Sequence, residues 1–386
     1  MKVGRQQHKL REVCTLINGR AYSKPELLAE GKYPVLRVGN FFTNNNWYYS
    51  DMELNDDKYC DTGDLLYAWS ASFGPRIWAG GKVIYHYHIW KVVPESAFVN
   101  QKFLFYFFQW DTEQIKEDQG TGTTMMHVSK GSMEDRDISL PPLAEQQRIV
   151  GILDEAFEGI ATAKANAEKN HQNARALFES HLQSVFTQRG EGWVDKPLGK
   201  VCEVKDGTHA SPKYVDDGIP FVTQKNIREN GLSFAKTRFI KQEDHDDFYR
   251  RSNVAQGDIL ISMIGANRGM ACIVDDDRIF SIKNVGLVKK ERSINQEVLL
   301  YFLKSPLAAS YVRNASKGGA QEFIGLTELR KFPIPHPPLN EQNVIAELFA
   351  SLSEETQRLA TIYERKLAAL DELKKSLLHQ AFSGNL

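Results

Sequence analysis

The chain has 386 residues, of which 42% are hydrophobic, with a formal net charge of −1; that length and that apolar content suit two or three globular domains with real cores. No uninterrupted apolar run is long enough to span a bilayer, and the opening "MKVGRQQHKLREV" lacks the apolar stretch of a secretory signal, so the cytoplasm is the expected compartment. Cys14, Cys60, Cys202 and Cys272 lie far apart without any C-x-x-C pair, so neither a zinc site nor a disulfide framework is signalled and buried free thiols are the reading.

From the N-terminus, the runs "YPVLRV", "GDLLYAW" and "KVIYHYHIWKVV" are β-branched and aromatic, and Gly, Asn and Asp turns separate them. They read as strands. His86 and His88 stand two apart on one face of such a strand, with no further Cys, His or acid cluster to complete a metal site, and read as partly exposed strand histidines. A helical pattern follows near residues 100–118. "GTGTTM" at 120–125 begins like a dinucleotide fingerprint, but it lacks the third glycine and has no βαβ unit around it. "PPLAEQ" then occupies 141–146. Its doubled proline halts regular structure, because the residue before a proline is pushed out of the α region, and Glu145 falls in the first turn of a helix, where the dipole favours a carboxylate. Steps of four and three visit Ile149, Leu153, Ala156, Ile160, Ala163, Ala167, Asn170, Ala174 and Leu177, a coiled-coil seam, with Gly190 as its stop.

The remainder repeats this plan. "LGKVC" answers "LREVC", "IPFV" answers "YPVL", and "GDILISMIGANRG" answers "GDLLYAWSASFG"; the strand runs "IPFVT", "GDILISMI", "ACIV" and "VGLVKK" are followed by a helical pattern near 295–313. The acidic runs "EDHDD" (243–247) and "DDD" (275–277) read as solvated loops between strands. "PPLNEQ" at 337–342 opens a second seam through Ile345, Phe349, Leu352, Thr356, Leu359, Tyr363, Lys366, Leu370, Leu373 and Leu377, with Gly384 as the stop. Residues 138–186 align with 334–382 without a gap, at an offset of 196 and with thirteen identities. This is an internal duplication. Each half reads as an α+β domain followed by one long helix of roughly 66 Å, too long to bury its apolar stripe on its own domain. The partner expected for each helix is the other copy, in an antiparallel pair with the domains at opposite ends. Asn170 and Lys366, at matching positions, either fix the register or are solvated ends of a loose seam.

No G-x-x-x-x-G-K-[ST] loop, metal cluster, nucleophile or acid/base pair stands out. What recurs is a set of Gly-punctuated loops carrying amides, hydroxyls, Arg and Lys, the groups that reach phosphates and base edges. In the first half these are "NGRAYSK" with Asn18, Arg20 and Tyr22, "RVGNFFTNNN" with Arg37 and Asn40, "SASFGPR" with Ser70, Ser72 and Arg76, and "GTGTTMMH" with Thr123 and Thr124. In the second they are "KDGTHASPKY" with Lys205, Thr208, His209 and Lys213, "TQKNIREN" with Thr223, Lys225, Asn226 and Arg228, "GANRG" with Asn267 and Arg268, and "SKGGAQ" with Lys317 and Gln321. Taken singly each is an ordinary turn; recurring at matching positions in both halves, they favour DNA. Residues 196–331 carry 22 basic against 17 acidic side chains, whereas 339–386 carry 5 against 7, so the second domain suits a polyanion better than its helix does.

The phrases "LPPLAEQQRIV" and "HPPLNEQNVIA", the loops "DGTHASPKY" and "GIPFVTQKNI", and "GDILISMIGANRG" together resemble the specificity subunit of type I restriction-modification systems across essentially the whole chain. The resemblance implies a target-recognition domain over 1–140, a conserved spacer helix over 141–190, a second target-recognition domain over 191–336 and a second spacer helix over 337–386. It implies a chain without chemistry of its own that reads an asymmetric bipartite target in double-stranded DNA. Two modification subunits would transfer a methyl group from S-adenosylmethionine to a flipped adenine. Restriction subunits would add ATP- and Mg-dependent translocation and cleavage. Glu145, Gln146, Glu341 and Gln342, at the helix starts, are then the expected docking region for partner subunits. The first half departs from the loop pattern, with "NGRAYS" where the second has "DGTHAS". Reading heads fixed about 35 Å apart would address segments roughly one helical turn apart. Two other readings compete: a helix-mediated scaffold whose globular halves bind protein or sugar, and a self-contained methyltransferase or nuclease, which would need the cofactor or metal motifs that are missing here.

Overall fold

The computed structural model describes residues 4–70, 74–119, 127–317 and 322–386. The chain divides into two compact units, residues 1–167 together with 365–386, and residues 168–364. These units are not the two sequence halves. Each takes its domain and helix start from one repeat and the end of a helix from the other.

In the first unit an antiparallel sheet runs in the order Cys14–Asn18, Ile89–Pro94, Leu65–Ala68, Gly74–Ile77. A second sheet runs Tyr48–Ser50, Tyr33–Leu36, Val83–Tyr85, Tyr59–Cys60, its inner pair parallel. Because side chains alternate across a strand, Leu65, Tyr67, Trp90 and Val92 enter the core against the helix Gln101–Gln119, with its Phe103, Leu104, Phe107 and Phe108, while Leu66, Ala68 and Ile89 pack with Leu36, Phe41, Cys60 and Tyr85. Both faces of the first sheet are buried, which is why its strands read as unbroken apolar runs.

The second unit repeats this topology, with Val204–Asp206, Val285–Val288, Ile259–Ser262, Ala271–Ile273 in one sheet and Arg238–Ile240, Ile219–Thr223, Ser281–Lys283 in the other, where Ile219–Thr223 and Ser281–Lys283 are again parallel. Ile259 and Ile261 face one core and Leu260 the other. Two expectations change here. "EDHDD" is not a loop but lies in the helix Gln242–Ser252, whose first turn carries Glu243 and Asp244 and whose last turn carries Arg250 and Arg251, the charge order the helix dipole favours. The helical stretch near 295–313 is two helices, Gln296–Leu303 and Pro306–Ala315, because Pro306 cannot donate into a continuing helix; Ser305 caps the second, its side chain accepting from the Ala308 N–H at 3.3 Å.

In each unit a two-stranded ribbon, Gln6–Lys9 with Asp137–Leu140 and Val194–Pro197 with Pro333–His336, leads into a long helix. The helices are Leu143–Gln188 and Leu339–Ser383. In the first unit Ile149 and Leu153 share a core with Leu378, Ala381 and Phe382. In the second, Leu182 and Phe186 share one with Ile345 and Phe349. The pairing is antiparallel, with Lys164 2.7 Å from Asp371 in one unit and His171 3.8 Å from Glu364 in the other.

The buried or half-buried seam runs 149, 153, 156, 160, 163, 167, 171, 174, 178, 182, 186 and, at the same offset of 196, from 345 to 382. Its spacing averages about 3.7 residues, nearer the period of a straight helix than a sustained heptad, so the strict four-three pattern slips by one after Ala167 and after Tyr363. Asn170, Leu177, Lys366 and Leu373 are therefore exposed, and the seam positions are His171, Phe178, Leu367 and Lys374. Asn170 and Lys366 fix no register; they are solvated. Gly384, at φ +76°, ends the second helix as expected, but the left-handed residue after the first is Arg189 at φ +40°, not Gly190. All four cysteines are free and buried. Among the described residues no helix is long and apolar enough to cross a membrane.

Candidate nucleic-acid interface

One backbone frame builds the same loop cluster in each unit. In the first, the Arg20 N–H donates to the Tyr85 carbonyl and the Tyr87 N–H to the Arg20 carbonyl; in the second, Thr208 N–H donates to Ile282 and Asn284 N–H to Thr208. The preceding glycine is required in both. A Cβ on Gly19 would lie 2.2 Å from the Tyr85 carbonyl oxygen, and one on Gly207 would lie 2.3 Å from that of Ile282. Asn40 and Asn226 hold the neighbouring loop in the same way. Asn40 Oδ1 accepts from the Arg37 N–H (2.7 Å) and its Nδ2 donates to Val35 (2.9 Å); Asn226 accepts from the Thr223 N–H (2.9 Å) and donates to the Ser233 carbonyl (2.9 Å) and the Thr237 hydroxyl (2.8 Å). The loops "RVGNFFTNNN" and "TQKNIREN" consequently contain a short helix, Val38–Thr43, and a 3-10 turn, Gln224–Asn226. The frame aligns Arg20 with Thr208, Arg37 with Thr223, His86 with Lys283 and Tyr87 with Asn284.

In the first unit this frame encloses an open concavity of about 540 Å³ lined by Arg37, Asn45, Asn46, Tyr48, His86 and His88 among others. The two histidines do not lie on one strand face. They occupy the turn by which the chain leaves the strand Val83–Tyr85 in one sheet for Ile89–Pro94 in the other, and their rings approach to 4.8 Å. Burial, with the facing His88 and Arg37, pushes His86 down to about 4, and burial with Arg37 lowers His88 as well. Both rings are therefore neutral at pH 7, each with one N–H donor and one acceptor. His86 Nδ1 accepts from the His88 N–H at 3.5 Å, which leaves the ring proton on Nε2. The Arg37 guanidinium lies 5.4 Å from the Tyr48 ring centre.

In the second unit the equivalent surface is a charged network. Buried Asp206 receives Arg251 through two bonds of 3.0 and 2.6 Å and lies 3.1 Å from His209 Nε2, whose Nδ1 is 2.7 Å from Asn284 Oδ1. Lys283 donates to the Ser211 hydroxyl at 2.7 Å, and Arg238 stacks 4.5 Å from the Tyr214 ring centre. His209, Lys213, Lys225, Arg228, Asn267 and Lys317 are exposed, as is Arg76 in the first unit.

Several residues expected at the interface are placed otherwise. Asn40, Asn226 and Thr208 are buried, and Asn40 and Asn226 spend their amides holding their own loops, so a direct base contact is withdrawn for all three. Arg268 is a clamp between loops: its side chain is 16% exposed, pairs with Glu322, and donates to the Ser316 hydroxyl (2.8 Å) and the Gly265 carbonyl (3.1 Å). Arg20 pairs with Glu26 at 2.7 Å, Arg76 donates to the Phe41 carbonyl, and Lys205 pairs with Glu203 at 3.2 Å. Asn18, Tyr22, Arg37, Ser70 and Thr223 are half-buried. Ser72, Thr123, Thr124 and Gln321 lie outside the described residues. The sequence reading missed Asn45, Asn46, Tyr48, His86 and His88 as a group, and Ser211, Arg251, Lys283 and Asn284. A signal for the first set was present in "TNNN" and "YHYH", but only the turn between sheets brings the two together.

The helix starts also differ from expectation. Gln146 and Gln342 are fully buried and unavailable for docking. Gln146 accepts from the Asn100 N–H (2.8 Å) and donates to the Phe98 and Pro141 carbonyls (both 2.9 Å). Gln342 accepts from Asn295 and donates to Ser293 (3.4 Å) and Pro337 (2.8 Å). Asn100 and Asn295 in turn cap the domain helices, so each glutamine ties a spacer helix to its domain at one point. Glu145 and Glu341 are half-buried, and Glu145 is held below the usual carboxylate range by a paired hydrogen bond from Arg148 at 2.8 and 2.7 Å.

The EcoBI type I restriction enzyme specificity subunit of Escherichia coli is 22% identical over 402 aligned positions, covering 97% of this chain and 84% of that one. The MjaVIII specificity subunit of Methanocaldococcus jannaschii is 23% identical over 350, covering 86% and 81%. Among solved structures, the HsdS subunit from Thermoanaerobacter tengcongensis matches with a TM-score of 0.60 at 20% identity, over 100% of this chain and 98% of its own. A chain solved in work on complex assembly and conformational transition of the type I R-M system reaches 0.80 at 20% identity, over 100% and 99%. These two likenesses establish the fold. The family described as type I restriction modification DNA specificity domain matches residues 3–170 and again 190–364, and the chain belongs to that family.

Proposed function

We propose that this chain is the DNA sequence-specificity subunit of a type I restriction-modification complex. It reads an asymmetric bipartite duplex, one segment with each unit, and positions adenine methyltransferase and restriction subunits there; S-adenosylmethionine, ATP and Mg are held by those partners. The observation that carries the reading is the frame built twice with different side chains in it. Gly19 and Gly207, Asn40 and Asn226, and Gln146 and Gln342 keep the two scaffolds alike. Arg37, His86 and Tyr87 in one unit occupy the positions that Thr223, Lys283 and Asn284 occupy in the other. Two scaffolds of one geometry with unlike hydrogen-bonding groups suit two unlike half-sites, because bases are discriminated by donor and acceptor patterns in the groove.

The test is a mobility-shift assay on genomic duplex fragments with and without co-expressed methyltransferase, coupled to mapping of methylated adenines. Sequence-selective retardation and two-part methylated sites are expected. No DNA binding with the partner present would sink the reading in favour of a scaffold that binds protein or sugar.

A further inference from the structure

We propose that the turn carrying His86 and His88, with Asn45 and Asn46 across the same concavity, is the base-edge reading element of the first unit, and that Lys283 at the equivalent position of the second unit serves a phosphate instead. The inference rests on the DNA-reading function proposed above and assigns a chemical class of contact to each half. It starts from position. The frame that places His86 beside Arg20 is the one that places Lys283 beside Thr208, through matching parallel bridges, so both side chains leave the fold at the same point. Their chemistry differs.

The first-unit concavity gathers two imidazoles, the amides of Asn45 and Asn46, that of Asn40 spent on its own loop, the Thr43 and Tyr48 hydroxyls and one guanidinium, Arg37. With a single cation among many neutral donors and acceptors, it is poorly suited to neutralise a phosphate run and well suited to complement base edges, which present mixed donor and acceptor patterns. The burial that keeps both imidazoles neutral acts in the same direction. The ring contacts fix their orientation: His88 packs edge-on to Trp69 at 4.9 Å, and His86 stacks with Tyr22 at 6.3 Å. In the second unit the Lys283 ammonium donates to the Ser211 hydroxyl at 2.7 Å and has no carboxylate partner among the described residues, so it is available to an anion.

The two contact classes respond differently to salt. A phosphate contact contributes about 0.9 to the slope of log K against log salt, whereas a base contact between neutral groups contributes nothing to it. The experiment uses the full chain assembled with its methyltransferase subunits and a randomised duplex library, followed by binding at several salt concentrations on the selected sequence. The variants are the double substitution His86→Ala with His88→Ala, its conservative counterpart His86→Asn with His88→Asn, and Lys283→Ala. For the double alanine variant we expect roughly a tenfold loss of discrimination at positions of one half-site, with the other half-site and the salt slope unchanged. The asparagine pair should restore part of that discrimination. For Lys283→Ala we expect a salt slope shallower by about 0.9 with the selected sequence unchanged. Equal loss at both half-sites, or a slope that falls by about 2 in the histidine variant, overturns the inference. If the parent complex selects no sequence from the library, the function itself is refuted and the inference falls with it; if the parent selects a bipartite site that the histidine variants leave intact, only the inference falls.

Discussion

Replacing Gln146 tests whether one buried amide fastens a spacer helix to its domain. Gln146→Ala removes three hydrogen bonds of 2.8–2.9 Å and leaves the Asn100 N–H and the Phe98 and Pro141 carbonyls without their partner. An orphaned buried group costs about 1–3 kcal/mol, and water can recover part of that at Asn100 and Phe98, so the loss should be about 3 kcal/mol. Gln146→Glu is the sharper variant. Its carboxylate can still accept from Asn100 but faces two carbonyl oxygens, so its folded-state pKa must rise above the ordinary value of about 4.3. The extra destabilisation is then full above the raised pKa and fades as the pH falls toward 4.3, where the protonated acid regains a donor. At pH 7.5 the Glu variant should therefore be less stable than the Ala variant, with the gap closing at pH 5. Because a chain of two compact units need not unfold in one step, the assay is hydrogen–deuterium exchange. The local opening energy of peptides covering residues 98–105 and 141–150, read relative to the parent at each pH, reports the loss. Gln342→Ala should move the matching peptides around 293–300 and 337–346 and leave the first set alone. A cost below about 0.5 kcal/mol for Gln146→Ala would refute the fastening role.

Other expectations follow from the same geometry. Gly19→Ala and Gly207→Ala place a Cβ within 2.2 and 2.3 Å of a carbonyl oxygen, so each should cost at least about 2 kcal/mol of thermal stability; Gly39→Ala, with nothing within 4 Å, should be neutral in the same melting assay. Burial pushes the thiols of Cys14, Cys202 and Cys272 up to about 12. A thiol-specific reagent at pH 8 should accordingly label none of the four cysteines until denaturant is added. Asn226→Ala should raise exchange throughout residues 223–237, because it releases the loop it holds, before any change in the sequence bound. Adding or removing one base pair between the half-sites of the target should abolish selective binding in a competition assay, and tolerance of both changes would refute a fixed spacing.

The duplication, the two long helices and their antiparallel pairing were legible in the sequence, because their causes are local. Proline places the helix start, apolar residues three and four apart mark the buried stripe as far as Ala167 and Tyr363, where the four-three reading slips, and a helix of that length has to find another to cover it. Strand positions were legible for the same reason. Which polar side chains face solvent was not. Glu145 and Gln146 are neighbours of similar polarity, yet a rotation of about 100° per residue turns one toward Arg148 at the surface and buries the other against the Pro141 carbonyl and the distant backbone of Phe98 and Asn100. Asn40 and Asn226 sit in loops whose composition suggests contact with a ligand, and the folded chain consumes both amides internally. His86 and His88, two apart, have the spacing of one strand face, but the chain changes sheets between Tyr85 and Ile89, and that crossing gathers them with Asn45 and Asn46. Sequence periodicity therefore determined the scaffold and its repetition, whereas the tertiary structure decided the presented surface, since a polar group faces outward only when no buried backbone group claims it first.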